Sequence, residues 1–215
     1  MTAQSTSSRA GASPGRPRLV KPKRIGNTAR DEILDAAAEL FTRHGYTGTS
    51  TRMIADAVGM RQASLYHYFA TKNDILAALL ATTVDPSLER ARELMAEDRS
   101  ATQRLLDLAR FDVSGLAAAR WNLGALYLLP EVADDRFAEF RAARTELAQI
   151  YETLACAALG NADDSRSMLP FRLVESVIMM RSDEERGDLD DHTTAGLVEV
   201  IVGAIEVLTR NGPAD

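Results

Sequence analysis

The chain has 215 residues, 46% of them hydrophobic, enough to bury a sizeable core in one large domain or in a small one joined to a medium one. The net charge of −6 hides an asymmetry: residues 1–75 sum to +5 and residues 76–215 to −11, so only the front end suits a polyanion. A single cysteine, Cys156, excludes an intramolecular disulfide and any multi-cysteine metal site. No run of about 18 apolar residues is free of charge, so no membrane span is expected; the basic start lacks the apolar block of a secretory signal, and a cytoplasmic location is expected.

Residues 1–26 are rich in Ser, Ala, Gly, Pro and Arg and have little to bury, which predicts a disordered basic arm. A solubilising tail and a DNA-contacting arm both fit that composition. From Thr28 onward the pattern is helical. Ile33, Leu34, Ala37, Leu40 and Phe41 recur at three- and four-residue steps. Asn27 or Thr28 can cap this first helix, and His44-Gly45 should end it. "TGTSTRMIADAVG" then supplies Ser50 or Thr51 as a cap, a short apolar face of Ile54, Ala57 and Val58, and Gly59 as a stop. A third short helix is expected from about Gln62 to Phe69, and Thr71 should cap a fourth beginning near Lys72. Two short helices joined by a tight Gly-containing turn on a longer first helix predict a helix-turn-helix.

In the third helix each residue turns by about 100°, so Leu65 and Phe69 share the buried face while Ala63 and His67 lie opposite. Arg61 and Gln62 project from the tip, where Arg and Gln can pair with guanine and adenine edges in the major groove. Ala63 and Ser64 permit close approach. Tyr66 offers a hydroxyl to a phosphate or simply packs; for Tyr68 packing is the favoured reading. Lys72 adds a positive charge beside free backbone N–H groups, a good phosphate site. Thr51 and Arg52 can grip the backbone and the groove edge.

The stretch "TSTRMIADAVGMRQASLYHYFATKNDIL" resembles the DNA-binding domain of TetR-family transcriptional regulators, as does "ILDAAAELFTRHGYTGTS" before it. The resemblance covers roughly residues 28–80. It implies a homodimer that reads a palindromic double-stranded operator, and a larger domain whose small-molecule effector releases the DNA by shifting the fourth helix. It further implies that Arg52, Gln62 and Ser64 read bases and that Tyr66 and Lys72 contact phosphates. The family's usual order is "LYYHF"; here His67 precedes Tyr68, so the role of His67 stays open.

Further along, Pro86 is expected to open a helix, and "LAAARWNLGALYLLPE" reads as a helix apolar nearly all round, the kind found in the middle of a bundle. Central helices of this kind line the effector cavity in the family, which makes Phe111, Trp121, Asn122, Tyr127 and Phe137 candidate lining residues, with ordinary core as the alternative for each. Few charges face this centre, which points to an apolar or aromatic effector. Arg120 could pair with an effector carboxylate or lie on a solvated face. A long amphipathic helix then ends at Gly160, and the segment 182–191, "SDEERGDLDD", reads as an acidic loop between the last two helices.

Those two helices carry Val174, Val177 and Ile178, then Leu197, Val198, Ile201 and Ile205, more apolar surface than a terminal hairpin needs for itself. Two copies could bury it as a four-helix dimer interface; alternatively, the hairpin packs on its own domain. No HExxH, GxSxG, P-loop or dinucleotide fingerprint occurs, and Asp134-Asp135 and Asp163-Asp164 suit helix starts. The chain therefore reads as all-α and non-enzymatic, with no cofactor and no metal. Its expected parts are a basic arm (1–26), a helix-turn-helix domain (27–75) and an effector-binding and dimerisation domain (76–215). The expected function is that of a ligand-responsive repressor; a DNA-binding protein without an effector is the alternative.

Overall fold

The computed structural model describes residues 26–188 and 193–210. The basic arm up to residue 25, His192 and the end of the acidic segment lie outside the described residues. Among the described residues there are eight α-helices and no strand.

The N-terminal unit forms as its spacing predicts. α1 (Ala29–His44) begins at Thr28, whose hydroxyl accepts from the Asp31 N–H while the Asp31 carboxylate accepts from the Thr28 N–H, a reciprocal cap. α2 (Thr51–Val58) is capped by Ser50 and stopped by Gly59, whose φ of 75° suits a residue without Cβ. Ile33, Ala37 and Phe41 of α1 pack with Ile54, Ala55 and Val58 of α2 in a buried cluster. α3 is shorter than expected. Only Gln62–Leu65 is α-helical, and Tyr66 to Phe69 continue as turns with mixed three- and four-residue bonds. Leu65 and Phe69 are buried, as their spacing requires.

α4 (Lys72–Met95) runs unbroken through the expected boundary at 75/76 and through Pro86, which lies inside the helix and does not open one. Proline removes one helical N–H and costs roughly 3 kcal/mol in an ordinary helix interior. Here burial of Leu79, Leu80, Val84 and Leu88 on either side holds the helix together.

The centre of the larger bundle is α5 (Ala101–Ala118), which packs on α4, α6 (Ala138–Leu159), α7 (Leu169–Arg186) and α8 (Thr194–Arg210). The expected central helix over "LAAARWNLGALYLLPE" does not exist: α5 stops at Ala118, and Leu123–Leu128, Pro130–Ala133 and Asp135–Phe137 are short 3-10 turns. Two long-range contacts account for the break. Asn122 is buried and donates to Ile178 O and Ser182 Oγ of α7, each at 2.9 Å. Gly124 lies so close to α7 that a Cβ there would sit 2.5 Å from Ile178 Cδ1. These turns wedge against α1, α4 and α7. α7 absorbs the start of the acidic segment, since Asp183, Glu184 and Glu185 are helical.

Candidate functional site

The tip of α3 and the start of α2 form one exposed surface. Gln62 Nε2 donates to Thr51 Oγ1 at 2.9 Å and to Tyr66 Oη at 3.2 Å, and the two hydroxyls lie 3.2 Å apart. This triangle ties α2 to α3 and fixes Gln62 before any partner arrives. Arg52 extends beside it with four-fifths of its side chain exposed and only a 3.9 Å contact to Asp56. Arg61, Ala63 and His67 are exposed and Ser64 is half-buried. Tyr66 and Tyr68 are each 47% exposed, so Tyr68 is not the packed residue expected and joins His67 on the outer face.

Lys72 is placed differently from a free phosphate ligand. Its ammonium donates to Tyr46 O at 2.8 Å and Thr49 O at 2.9 Å and lies 4.0 Å from the centre of the Tyr46 ring. It therefore staples α4 to the α1–α2 turn, with one N–H left for another acceptor. Burial lowers its pKa, an effect opposed by Glu131. The Tyr46 hydroxyl donates to Asn73 Oδ1 on the same turn of α4, and burial first, then Glu131, pushes its pKa up to about 12.

A cavity of about 240 Å³ opens between α4, α5 and the 119–124 segment. It brings together three of the expected lining residues, Phe111, Trp121 and Asn122. Tyr127 lines two neighbouring hollows, of about 360 and 30 Å³, and its hydroxyl meets Thr83 Oγ1 at 2.7 Å; burial pushes its pKa up to about 12. Phe137 is fully buried and lines none of these cavities; it is core. The expectation of few inward charges fails. Asp112 of α5 and Arg181 of α7 both line the 240 Å³ cavity. Asp112 is 5% exposed; burial drives its pKa up to about 6, offset in part by Ser87 and Tyr151.

Trp121 and Arg120 also join the cavity wall to α1. Both donate to Asp35 Oδ1, from Trp121 Nε1 at 3.2 Å and Arg120 at 2.9 Å. The Arg43 and Arg120 guanidinium groups lie 5.4 and 4.7 Å from the indole ring. Arg120 is thus paired with Asp35 while half of its side chain stays in solvent, and it does not line the cavity.

Residues 33–79, from the second turn of α1 into α4, match the family of bacterial regulatory proteins called tetR. The crystal structure of Mycobacterium smegmatis AmtR is 50% identical, with a TM-score of 0.73 over 89% of this chain and 97% of that one. The chain belongs to the TetR family. The HTH-type transcriptional repressor KstR2 of Rhodococcus jostii is 33% identical over 127 residues, 57% of this chain. That match spans 61% of the repressor, less than two thirds of its length. AibR, whose crystal structure is a complex with isovaleryl coenzyme A and operator DNA, shares the fold at 21% identity and a TM-score of 0.62, over 81% of this chain and 96% of that one.

The surface expected to pair two copies of this TetR-family chain needs correction. Val174, Val177, Ile178, Leu197, Ile201 and Ile205 are buried within the chain itself, and Val198 is half-buried. The reason is helical phase. Leu197, Ile201 and Ile205 recur every fourth residue on the core side of α8, which packs mainly on α5. The other side exposes Val200 (63%), Ala204 and Val207 (60%) with Gly203 between them, and α7 exposes Met179 (54%).

Sequence reasoning missed Asp35, Arg43, Asp112 and Arg181. For Asp112 a signal was present, an acid within the apolar stripe of Leu105, Leu108, Ala109 and Val113. The others depend on contacts 60 or more residues away in the chain, such as Arg181 to Leu116. Asp134 and Asp164 cap turns as expected, their pKa values lowered by bonds to Arg136 and Arg166. Among the described residues no cluster could hold a metal ion, and no helix is long and apolar enough to cross a membrane.

Proposed function

We propose that the protein is a DNA-binding transcriptional repressor that reads a palindromic operator as a homodimer and leaves it when a small molecule occupies the cavity beside Trp121. The observation that carries this reading is the exposed, pre-set tip of Arg52, Gln62 and Tyr66 on a unit matched to the TetR family. Gln62 and Arg52 meet base edges, with Ser64 and Ala63 close to the groove floor. Thr51, Tyr66, Arg61 and His67 face the backbone, and Lys72 holds the α1–α2 turn while offering its remaining N–H to a phosphate. The repressor names of KstR2 and the operator complex of AibR support the same reading.

Two paths connect the cavity to the tip in this reading. Thr82, Thr83 and Pro86 place α4 on the cavity wall, and Lys72 at the start of α4 grips the α1–α2 turn. Trp121, on the same wall, is bonded to Asp35 of α1. A ligand that displaces Trp121 or bends α4 tilts the reading unit, and two tilted units no longer match successive major grooves. The dimer forms through Val200, Gly203, Ala204 and Val207 of α8 with Met179 of α7, in place of the buried residues first expected. The units 27–75 and 76–215 carry reading and sensing, and residues 1–26 add phosphate contacts to the flanks.

The test is selection of bound sequences from a random DNA pool by the full chain. A palindromic consensus with two half-sites is expected; recovery without any consensus would contradict the reading. Removing residues 1–24 should lower affinity and flatten its salt dependence, and an unchanged salt slope would remove the arm from the account.

A further inference from the structure

The cavity that the proposed function treats as the effector site has a wall rich in acceptors. Asp112 is the strongest of them. Its Oδ2 accepts from Tyr151 Oη at 2.7 Å, while Oδ1 is buried with no partner at hydrogen-bond geometry; Ser87, close to the carboxyl, offsets part of the rise in its pKa. Arg181, the guanidinium on this wall, is committed elsewhere, donating to Leu116 O at 2.5 Å and Ala119 O at 2.7 Å. Thr82 also lines the cavity; its hydroxyl donates back to Leu79 O, so its lone pairs are what it offers. Pro86 has no N–H to give the Thr82 carbonyl. Phe111 and Trp121 supply flat apolar faces.

We infer that this cavity takes a small organic amine, its ammonium group donating to Asp112 Oδ1 and its hydrocarbon body lying against Phe111 and Trp121. This rests on the reading of the cavity as the effector site. A purely apolar ligand would leave the buried oxygen bare, which is costly. An anion would be drawn to Arg181 on the same wall but repelled by Asp112, and it would still leave Oδ1 without a donor. An ammonium group satisfies the oxygen, and the aromatic faces add cation–π attraction. The volume of about 240 Å³ falls just below the usual range of roughly 300–1,000 Å³ for ligand pockets, which limits the body to about one ring.

The experiment uses the full chain and three probes of one shape, 2-phenylethylamine, 2-phenylethanol and phenylacetate, followed by titration calorimetry. The amine should bind at least about tenfold more tightly than the alcohol or the acid. Asp112→Asn should remove that preference while leaving affinity for the alcohol unchanged. Equal binding of alcohol or acid, an unaltered preference in Asp112→Asn, or no binding of the amine at millimolar concentration would overturn the proposal. If the variant does not fold, the wild-type protein decides. Amine affinity should fall as pH drops from about 7.5 to 5 and the carboxyl takes up a proton. Tyr127, Arg144, Tyr151, Glu175 and Arg181 also line or abut this space; Glu175 is held by Arg144 at 2.9 Å and keeps its charge paired. Affinity independent of pH would overturn the proposal. Operator binding separates the two readings. An amine that binds through Asp112 without releasing DNA leaves the amine site standing and ends the effector reading. Release by phenylacetate and not by the amine does the reverse.

Discussion

Gln62 and Asp112 are both polar side chains fastened to a tyrosine hydroxyl, but the two are held in different ways. Gln62 is half-exposed, and its partners Thr51 and Tyr66 lie 11 and 4 residues away. Asp112 is buried, and its partner Tyr151 is 39 residues away on another helix. A polar group at the surface loses little if its partner is removed, because water replaces it. A buried one has no such substitute. The α2–α3 tip is therefore a locally assembled and tolerant structure, whereas the cavity at Asp112 depends on long-range contacts that must all form together.

That contrast can be broken most severely at Asp112. Its carboxyl holds a proton up to about pH 6 in the folded protein, against an ordinary value of 3.8. Between those values the unfolded chain has released the proton and the folded chain has not, so raising pH through this window lowers stability. Asp112→Asn removes the effect. The stability of the variant relative to wild type should rise by about 2–3 kcal/mol between pH 4 and pH 7, measured by urea unfolding at equal protein concentration. A difference independent of pH would mean that burial does not govern this group.

Lys72 and Gln62 sharpen the comparison within the reading unit. Lys72→Ala removes two charge-assisted bonds that hold the α1–α2 turn, so it should lower unfolding stability by about 1.5–3 kcal/mol and weaken binding to all DNA sequences. Gln62→Ala should leave the melting temperature within error, yet cost about 1–3 kcal/mol at the selected operator. Equal loss of stability in both variants would erase the distinction between staple and reader.

A smaller effect is expected where the two regions meet. Asp35→Asn weakens the contacts from Arg120 and Trp121 and should cost about 0.5–1.5 kcal/mol in stability. Its larger consequence is functional: a ligand that releases wild-type protein from DNA should release this variant less completely. Release at the wild-type level would leave α4 as the sole path between cavity and tip.

How much of this was legible in the sequence follows the same division. Thr28, Ser50, Gly59, Leu65 and Phe69 announce the reading unit because caps, stops and apolar spacing act within a few residues. The 119–137 segment misled because its apolar composition suits a helix, while Asn122 and Gly124 are recruited by α7 more than 50 residues away. Pro86 misled in the opposite direction, since tertiary burial overrode its local preference. Most of the residues expected at a dimer surface lie on the sides of α7 and α8 that are buried within the chain. Both sides of α8 are apolar, and only the position of α5 decides which one is buried.

The central claim is that a tip pre-set by Thr51, Gln62 and Tyr66 reads operator sequence. It is tested most directly by measuring the affinity of wild type and Gln62→Ala for the selected operator and for a scrambled duplex of equal length at one salt concentration. The expected result is a loss of about tenfold or more at the operator with no change on the scrambled duplex. Equal losses on both, or none on either, would contradict it.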